Sequence, residues 1–205
     1  MAYKLILFDF DGTLADYMPY AKEMLNIAAK KYRFKPIKDL ELLRNMTIRR
    51  FLKHQKVPIY KLPLVLLEAQ KFQLKNMSRM KLPKGMREVL EKLKKKYKIA
   101  ILSSNRTKVI YSFLGRHDLD NMFDFVETYH KIFAKSVGLG KMLITHNLKH
   151  SEVLYVGDEI RDIQATRKVR IDMVAVTWGL NGEEILRKYK PKYIIKKPED
   201  LIALV

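Results

Sequence analysis

Apolar residues along this chain follow two rhythms. Residues 4–8 (KLILF) form a short unbroken apolar run closed by an Asp-Gly signal, which predicts a buried strand. From Tyr17 to about Arg79 the spacing becomes that of helices. Met18, Ala21, Leu25, Ala28 and Tyr32 share one face, with Asp16 and Pro19 as start signals. Asp39 opens a second short helix through Leu40, Leu42 and Leu43, and Thr47 a third through Ile48, Phe51 and Leu52. Pro58 and Pro63 bracket a break, after which LVLLEAQKFQLKNM reads as a longer helix. No strand is predicted in this stretch.

Pro83 and Gly85 mark the exit, and strand and helix then alternate. The stripe Met86, Val89, Leu90, Leu93 leads to a strand KIAILS at 98–103. Val109, Ile110, Phe113 and Leu114 lead to a short strand at 124–128, and a helix around 136–147 leads to VLYVG at 153–157. DMVAV at 172–176 and KYIIK at 192–196 complete the strands. This alternation predicts an α/β fold, a doubly wound parallel sheet of Rossmann type interrupted by an all-helical insertion. The expected division is a core of residues 1–15 and 85–205 and a helical unit of residues 16–84. Ligands of such sheets bind beyond the carboxyl ends of the strands.

Composition narrows the classes. The 205 residues are 48% hydrophobic and 31% charged, as in a folded globular protein. No apolar run approaches the roughly 18 residues of a membrane span. The first apolar stretch is broken by Asp9 and Asp11 with no small-residue cleavage site after it, so no membrane association and a cytoplasmic location are expected. Absence of cysteine removes disulfides, zinc–thiolate sites and thiol nucleophiles. His54, His117, His130, His146 and His150 are scattered and take no role, and Lys94–Lys96 read as a solvated helix face. The net charge of +19 is unevenly spread. Residues 16–84 hold 17 Lys and Arg against 5 Asp and Glu, so a third of the chain carries +12 of it. Arg44, Arg49, Arg50, Lys53 and Lys56 could attract an anionic substrate to a cleft, although each alone is more simply a solvated side chain.

Three polar groups fall at strand carboxyl ends: Asp9 and Asp11, then Ser103-Ser104-Asn105, then Asp158-Glu159 with Asp162 one turn on. A parallel sheet brings them to one edge. Carboxylates converging without Cys or His suit a hard cation such as Mg²⁺. Asp-Gly by itself is only a turn signal, and Gly157-Asp158 could be a helix cap; it is their combination that points to chemistry. Gly138-Leu139-Gly140-Lys141 lacks the spacing of a phosphate loop.

DFDGTLAD, a Ser ending a second strand in ILSSN, a lysine, and VGDEIRD together resemble the four ordered motifs of the haloacid dehalogenase-like hydrolases. VAVTWGLNG and KYIIKKPEDL are similar to its phosphoglycolate-phosphatase-like branch, in which residues 16–84 would be the helical cap. The resemblance implies a Mg²⁺-dependent phosphatase acting on a small phosphate monoester through an aspartyl-phosphate. It implies Asp9 as nucleophile, Asp11 as the acid and base, Ser103 as a phosphoryl hydrogen-bond partner and Lys135 as the cation that offsets its charge. Lys131 competes with Lys135 for that place, and Lys141 ranks last. Gly12, Thr13, Ser104 and Asn105 would complete the phosphate contacts, and Asp9, Asp11 through its carbonyl, Asp158 and Asp162 the metal site, with Glu159 as a further support. The second Asp of DFDGT favours phosphoryl chemistry, since the dehalogenases of the superfamily lack it. A phosphomutase would share these motifs. A binder of nucleic acid or another polyanion, or a phosphatase of nucleic-acid ends, would use the basic helical unit, which carries no recognisable nucleic-acid motif.

Overall fold

The computed structural model describes residues 3–129 and 135–205, so His130 and Lys131 lie outside the described residues. Six parallel strands form one sheet: β1 (Leu5–Phe8), β2 (Lys98–Ser103), β3 (Phe125–Thr128), β4 (Val153–Gly157), β5 (Asp172–Val176) and β6 (Tyr193–Ile195), in the order β3-β2-β1-β4-β5-β6. Phe8 pairs with Ile101 on one side and Val156 on the other, so β1 is the central strand. The side-chain period of two sends Ile6, Phe8, Ile99, Ile101, Leu154 and Val156 to one face. Leu5, Leu7, Ala100, Leu102, Val153 and Tyr155 go to the other. Both faces are covered, which is why the strands read as continuous apolar runs. Helices α5 (Met86–Lys94) and α6 (Thr107–Arg116) pack on the first face; α7 (Lys135–Thr145), α8 (Ile160–Lys168) and α9 (Glu183–Lys188) pack on the second.

Between β1 and β2 the described elements are helical: α1 (Met18–Tyr32), α2 (Leu40–Arg44), α3 (Ile48–His54) and α4 (Leu62–Lys75). Asp39 and Thr47 accept the N–H groups of Leu42 and Arg50 as helix caps, at the positions read from the sequence. The Asp16 carboxylate accepts the Met18 N–H. One expectation shifts: Pro63 does not end a break but sits in the first turn of α4, where its missing N–H removes only an unpaired donor. Ala28, Ala29, Phe34, Leu52, Val57, Leu62 and Val65 make a small core of the insertion's own, while Ala21, Met24 and Phe72 join the core on the sheet. Entry and exit are stitched together where Asp16 N–H donates to Lys81 O at 2.9 Å.

The strands stand where the pattern placed them, and β6 is shorter by a residue at each end. Periodicity alone did not single out α8 and α9. Gly138–Lys141 lies inside α7 and is no loop. No helix among the described residues is long and apolar enough to cross a membrane.

Candidate active site

The chain reverses its direction of travel across the sheet between β1 and β4, which opens a crevice beyond their carboxyl ends. Asp9 follows β1 directly, its own N–H bonded to Val156 O at 2.8 Å, and Asp158 follows β4. One carboxylate oxygen from each of Asp9, Asp158 and Asp162 lies within 4.8 Å of the others, and all three side chains are buried. Asp162 reaches the group from the first turn of α8, where its Oδ2 also accepts the Glu159 N–H at 3.0 Å.

Lys135 supplies the nearby positive charge. As the first residue of α7 it donates to Asp9 Oδ2 at 2.7 Å and to Asp162 Oδ1, with its ammonium over the Tyr155 ring. Burial opposes its charge, but Asp162 and Asp9 outweigh burial and hold its pKa well above the usual lysine range. Lys141 lies exposed further along the same helix.

Two carboxyls stand in contrasting surroundings. Asp9 Oδ1 accepts the Phe10 N–H at 2.8 Å, and its other oxygen faces Lys135. Among the described residues Asp11 receives only the Asn105 amide, at 3.0 and 3.1 Å, and burial together with the Asp9 charge pushes its pKa up to about 7. A carboxyl of that kind holds a proton part of the time near neutrality, as a proton donor and acceptor needs. Burial, then the charges of Glu159, Asp162 and Asp9, raise Asp158 well above the usual range. Burial likewise lifts Asp162 to about 6 despite Lys135. Glu159 is paired with Arg161, at 2.6 and 2.7 Å; burial pulls its carboxyl up, but Arg161 outweighs burial and keeps it low.

Several residues expected to contact phosphate are turned to other partners. Ser103 is fully buried at the end of β2, its Oγ accepting the Asn105 N–H at 3.0 Å. Ser104 is half-buried in the turn that follows. Asn105 directs its amide to Asp11, with Gln73 of α4 at 3.5 Å on the far side. The Thr13 hydroxyl donates to Asp158 Oδ1 at 3.3 Å, and Trp178 anchors the same turn through Thr13 O at 3.1 Å. Gln73 and the Trp178–Gly182 loop were not read from the sequence as site residues. A polar residue between Phe72 and Leu74 and the Gly-Leu-Asn-Gly run after β5 were the signals available.

Gly12 combines a φ of +77° with a backbone pressed on Asp158, so that a Cβ there would fall 2.2 Å from Asp158 Oδ2. Gly12→Ala is therefore expected to lower stability by roughly 1–3 kcal/mol and to displace the Asp158 carboxylate. Denaturant titration checks the first effect, and Mg²⁺ binding by calorimetry checks the second. Tyr155 offers the opposite case. Its hydroxyl is buried without a partner among the described residues, while its ring lies against Lys135. Tyr155→Phe keeps the ring and removes the orphan group, so it is expected to raise stability by about 1 kcal/mol with kcat unchanged.

Among the described residues, the buried carboxylates of Asp9, Asp158 and Asp162, with Asp11 and Glu159 beside them, outnumber the nearby cations Lys135 and Arg161, and the donors are all oxygen. That excess of negative charge and that donor set fit Mg²⁺. Comparisons with known proteins place the chain in a family. A sequence profile of haloacid dehalogenase-like hydrolases matches residues 6–176. The chain is 31% identical over 203 residues to a phosphoglycolate phosphatase of Synechococcus elongatus, covering 98% of this chain and 96% of that one. Over 122 residues it is 33% identical to the pyrophosphatase PpaX of Bacillus mycoides, about 58% of this chain and 57% of that protein. The fold superposes with a TM-score of 0.81 on a haloacid dehalogenase-like hydrolase from Streptococcus pneumoniae, at 22% identity and 98% coverage of both chains.

Proposed function

Because the chain belongs to the haloacid dehalogenase-like hydrolases and is a phosphoric monoester hydrolase, we propose that Asp9 is the nucleophile of a two-step phosphoryl transfer ending in inorganic phosphate. The observation that carries this reading is the buried convergence of Asp9, Asp158 and Asp162 at the strand ends, with Lys135 paired to Asp9 and Asp162. In the first step an Asp9 oxygen forms a bond to phosphorus as the bond to the leaving oxygen breaks. Asp11 gives its proton to that oxygen. In the second step Asp11 takes a proton from water, the water oxygen bonds to phosphorus, and the Asp9–phosphorus bond breaks. Asp11 is thereby returned to its protonated form.

A carboxylate approaching a phosphoryl group meets like charge, so the cations around Asp9 are a physical requirement. Lys135 supplies one. Asp9, Asp158 and Asp162, with the main-chain carbonyl of Asp11, would hold Mg²⁺, which supplies positive charge to the phosphoryl oxygens when bound. Ser103, Ser104, Gly12 and Thr13 line the turns around the reacting group, while Asn105 orients Asp11.

Residues 16–84 act in this reading as a helical cap on a core of residues 1–15 and 85–205. The cyanobacterial relative is called a phosphoglycolate phosphatase, which favours a small phosphate monoester that carries a second anionic group as the substrate. Arg49, Arg50, Lys53 and Lys56 are exposed on the insertion. If their field steers anions to the crevice, kcat/KM falls roughly three- to tenfold between low and physiological salt, with kcat nearly constant. A salt-independent kcat/KM would assign these residues to solvation alone. Phosphate release from p-nitrophenyl phosphate with Mg²⁺ and with chelator tests the metal requirement, and product analysis separates hydrolysis from transfer to a second sugar or alcohol.

A further inference from the structure

Arg44, the last residue of α2, ties the insertion to one loop of the core. Its Nη2 donates to Thr177 O at 2.6 Å and to Gly179 O at 3.0 Å, and its Nε donates to Gly179 O at 3.2 Å. Nη1 is held by Glu41 at 2.8 Å, one turn back on α2. The main-chain oxygen of Arg44 accepts from the Gly182 N–H and the Asn181 amide, both at 3.1 Å. One residue thus grips the loop from both ends.

That loop is also the support of Asp158. Leu180 N–H donates to Asp158 Oδ2 at 2.6 Å, and Asn181 N–H donates to Asp158 O at 3.3 Å. Asn181 Oδ1 accepts the Ile160 N–H at 2.9 Å, which fixes the start of α8. Gly179 lies so close that a Cβ on it would meet the Asp158 side chain at 2.3 Å. Any displacement of the loop therefore moves a donor of the Asp158 carboxylate.

We propose that Arg44 is a positioning residue that locks the helical insertion onto the 177–182 loop and so holds Asp158 aimed into the site. The loop carbonyls need a planar fork with several donors, which guanidinium provides and an ammonium does not. With Arg44 withdrawn, the Thr177 and Gly179 carbonyls lose their side-chain donor, and the loop is free to move away from Asp158. The insertion's approach and the shaping of the metal-facing carboxylate become one event.

This proposal rests on the reading of Asp158 as a metal ligand, and its test separates the two. Amide hydrogen exchange is followed on metal-free protein for wild type, Arg44→Lys and Arg44→Ala. Exchange at Leu180 and Asn181 is expected to quicken about tenfold or more in both variants, with Ile101 and Val156 still protected. Lysine does not rescue. In the same variants the Mg²⁺ dissociation constant, read by calorimetry, rises about fivefold or more, while KM for p-nitrophenyl phosphate at saturating Mg²⁺ changes less than about twofold. Wild-type exchange at Leu180 and Asn181 in Arg44→Ala overturns the proposal. So does faster exchange spread equally over the central strands, which would make Arg44 a general stabiliser. Asp158→Asn with unchanged Mg²⁺ binding would instead overturn the metal reading, and the exchange result would stand by itself.

Discussion

Asp9→Asn is expected to fold as the wild type does and to lose phosphatase activity by about four orders of magnitude or more. The substitution changes one atom. The amide oxygen still accepts the Phe10 N–H, and Lys135 keeps its bond to Asp162 while losing the one to Asp9, so the fold is kept at some cost in stability. The nucleophilic oxygen is what disappears, because a neutral amide does not displace an alkoxide from phosphorus. Activity measured with p-nitrophenyl phosphate, beside the circular dichroism and melting temperature of the same preparation, checks the expectation. A variant within tenfold of wild type would remove Asp9 from the chemistry.

Lys135→Met is expected to damage stability and catalysis together. Its ammonium is buried between Asp9 and Asp162, whose side chains are 6% and 0% exposed. Methionine fills a similar volume and leaves the two carboxylates without the ammonium bonded to both, with only the more distant Arg161 charge beside them. Removing one partner of a buried charge cluster costs about 3–5 kcal/mol, which in a chain of this size lowers the melting temperature by roughly 6–20 °C. Part of that loss is expected to return when Mg²⁺ is added, since a divalent cation restores the missing charge. Turnover at saturating Mg²⁺ should remain lower by a factor of about 10² to 10³. Melting curves with Mg²⁺ and with chelator, paired with kcat at saturating metal, measure both effects. A melting temperature unchanged in chelator would show that Lys135 does not balance these carboxylates.

The fold was readable because both of its rhythms are strong. Strands buried on two faces read as short apolar runs, and Asp39 and Thr47 are caps whose side chains reach the backbone N–H groups that their position predicts. Pro63 was misplaced because proline in the first turn of a helix and proline in a break look alike until the residue that starts the helix is known. The carboxylate cluster was legible where chemistry and strand ends coincide, at Asp9, Asp158 and Asp162, whereas Ser103 at the end of β2 is turned to the Asn105 N–H. Lys135 was reached through the order of motifs, since a lysine before a helix has no local signature. Asn105, Thr13 and Gln73 were another matter. Which of their possible partners they choose depends on contacts between residues 145, 94 and 32 positions apart. Arg44 was one cation among many in the sequence. Only the packing of α2 against the loop after β5 distinguishes it from Arg49 or Lys53, which face solvent.

The central claim is that the phosphoryl group passes through Asp9 on its way to water. The stereochemical course at phosphorus tests it most directly, with an isotopically chiral phosphate monoester as donor and a small alcohol present to trap the transferred group. Two successive in-line displacements, one by Asp9 and one by the acceptor, predict overall retention of configuration. Inversion would mean a single displacement by the acceptor itself, with Asp9 reduced to a metal and proton partner.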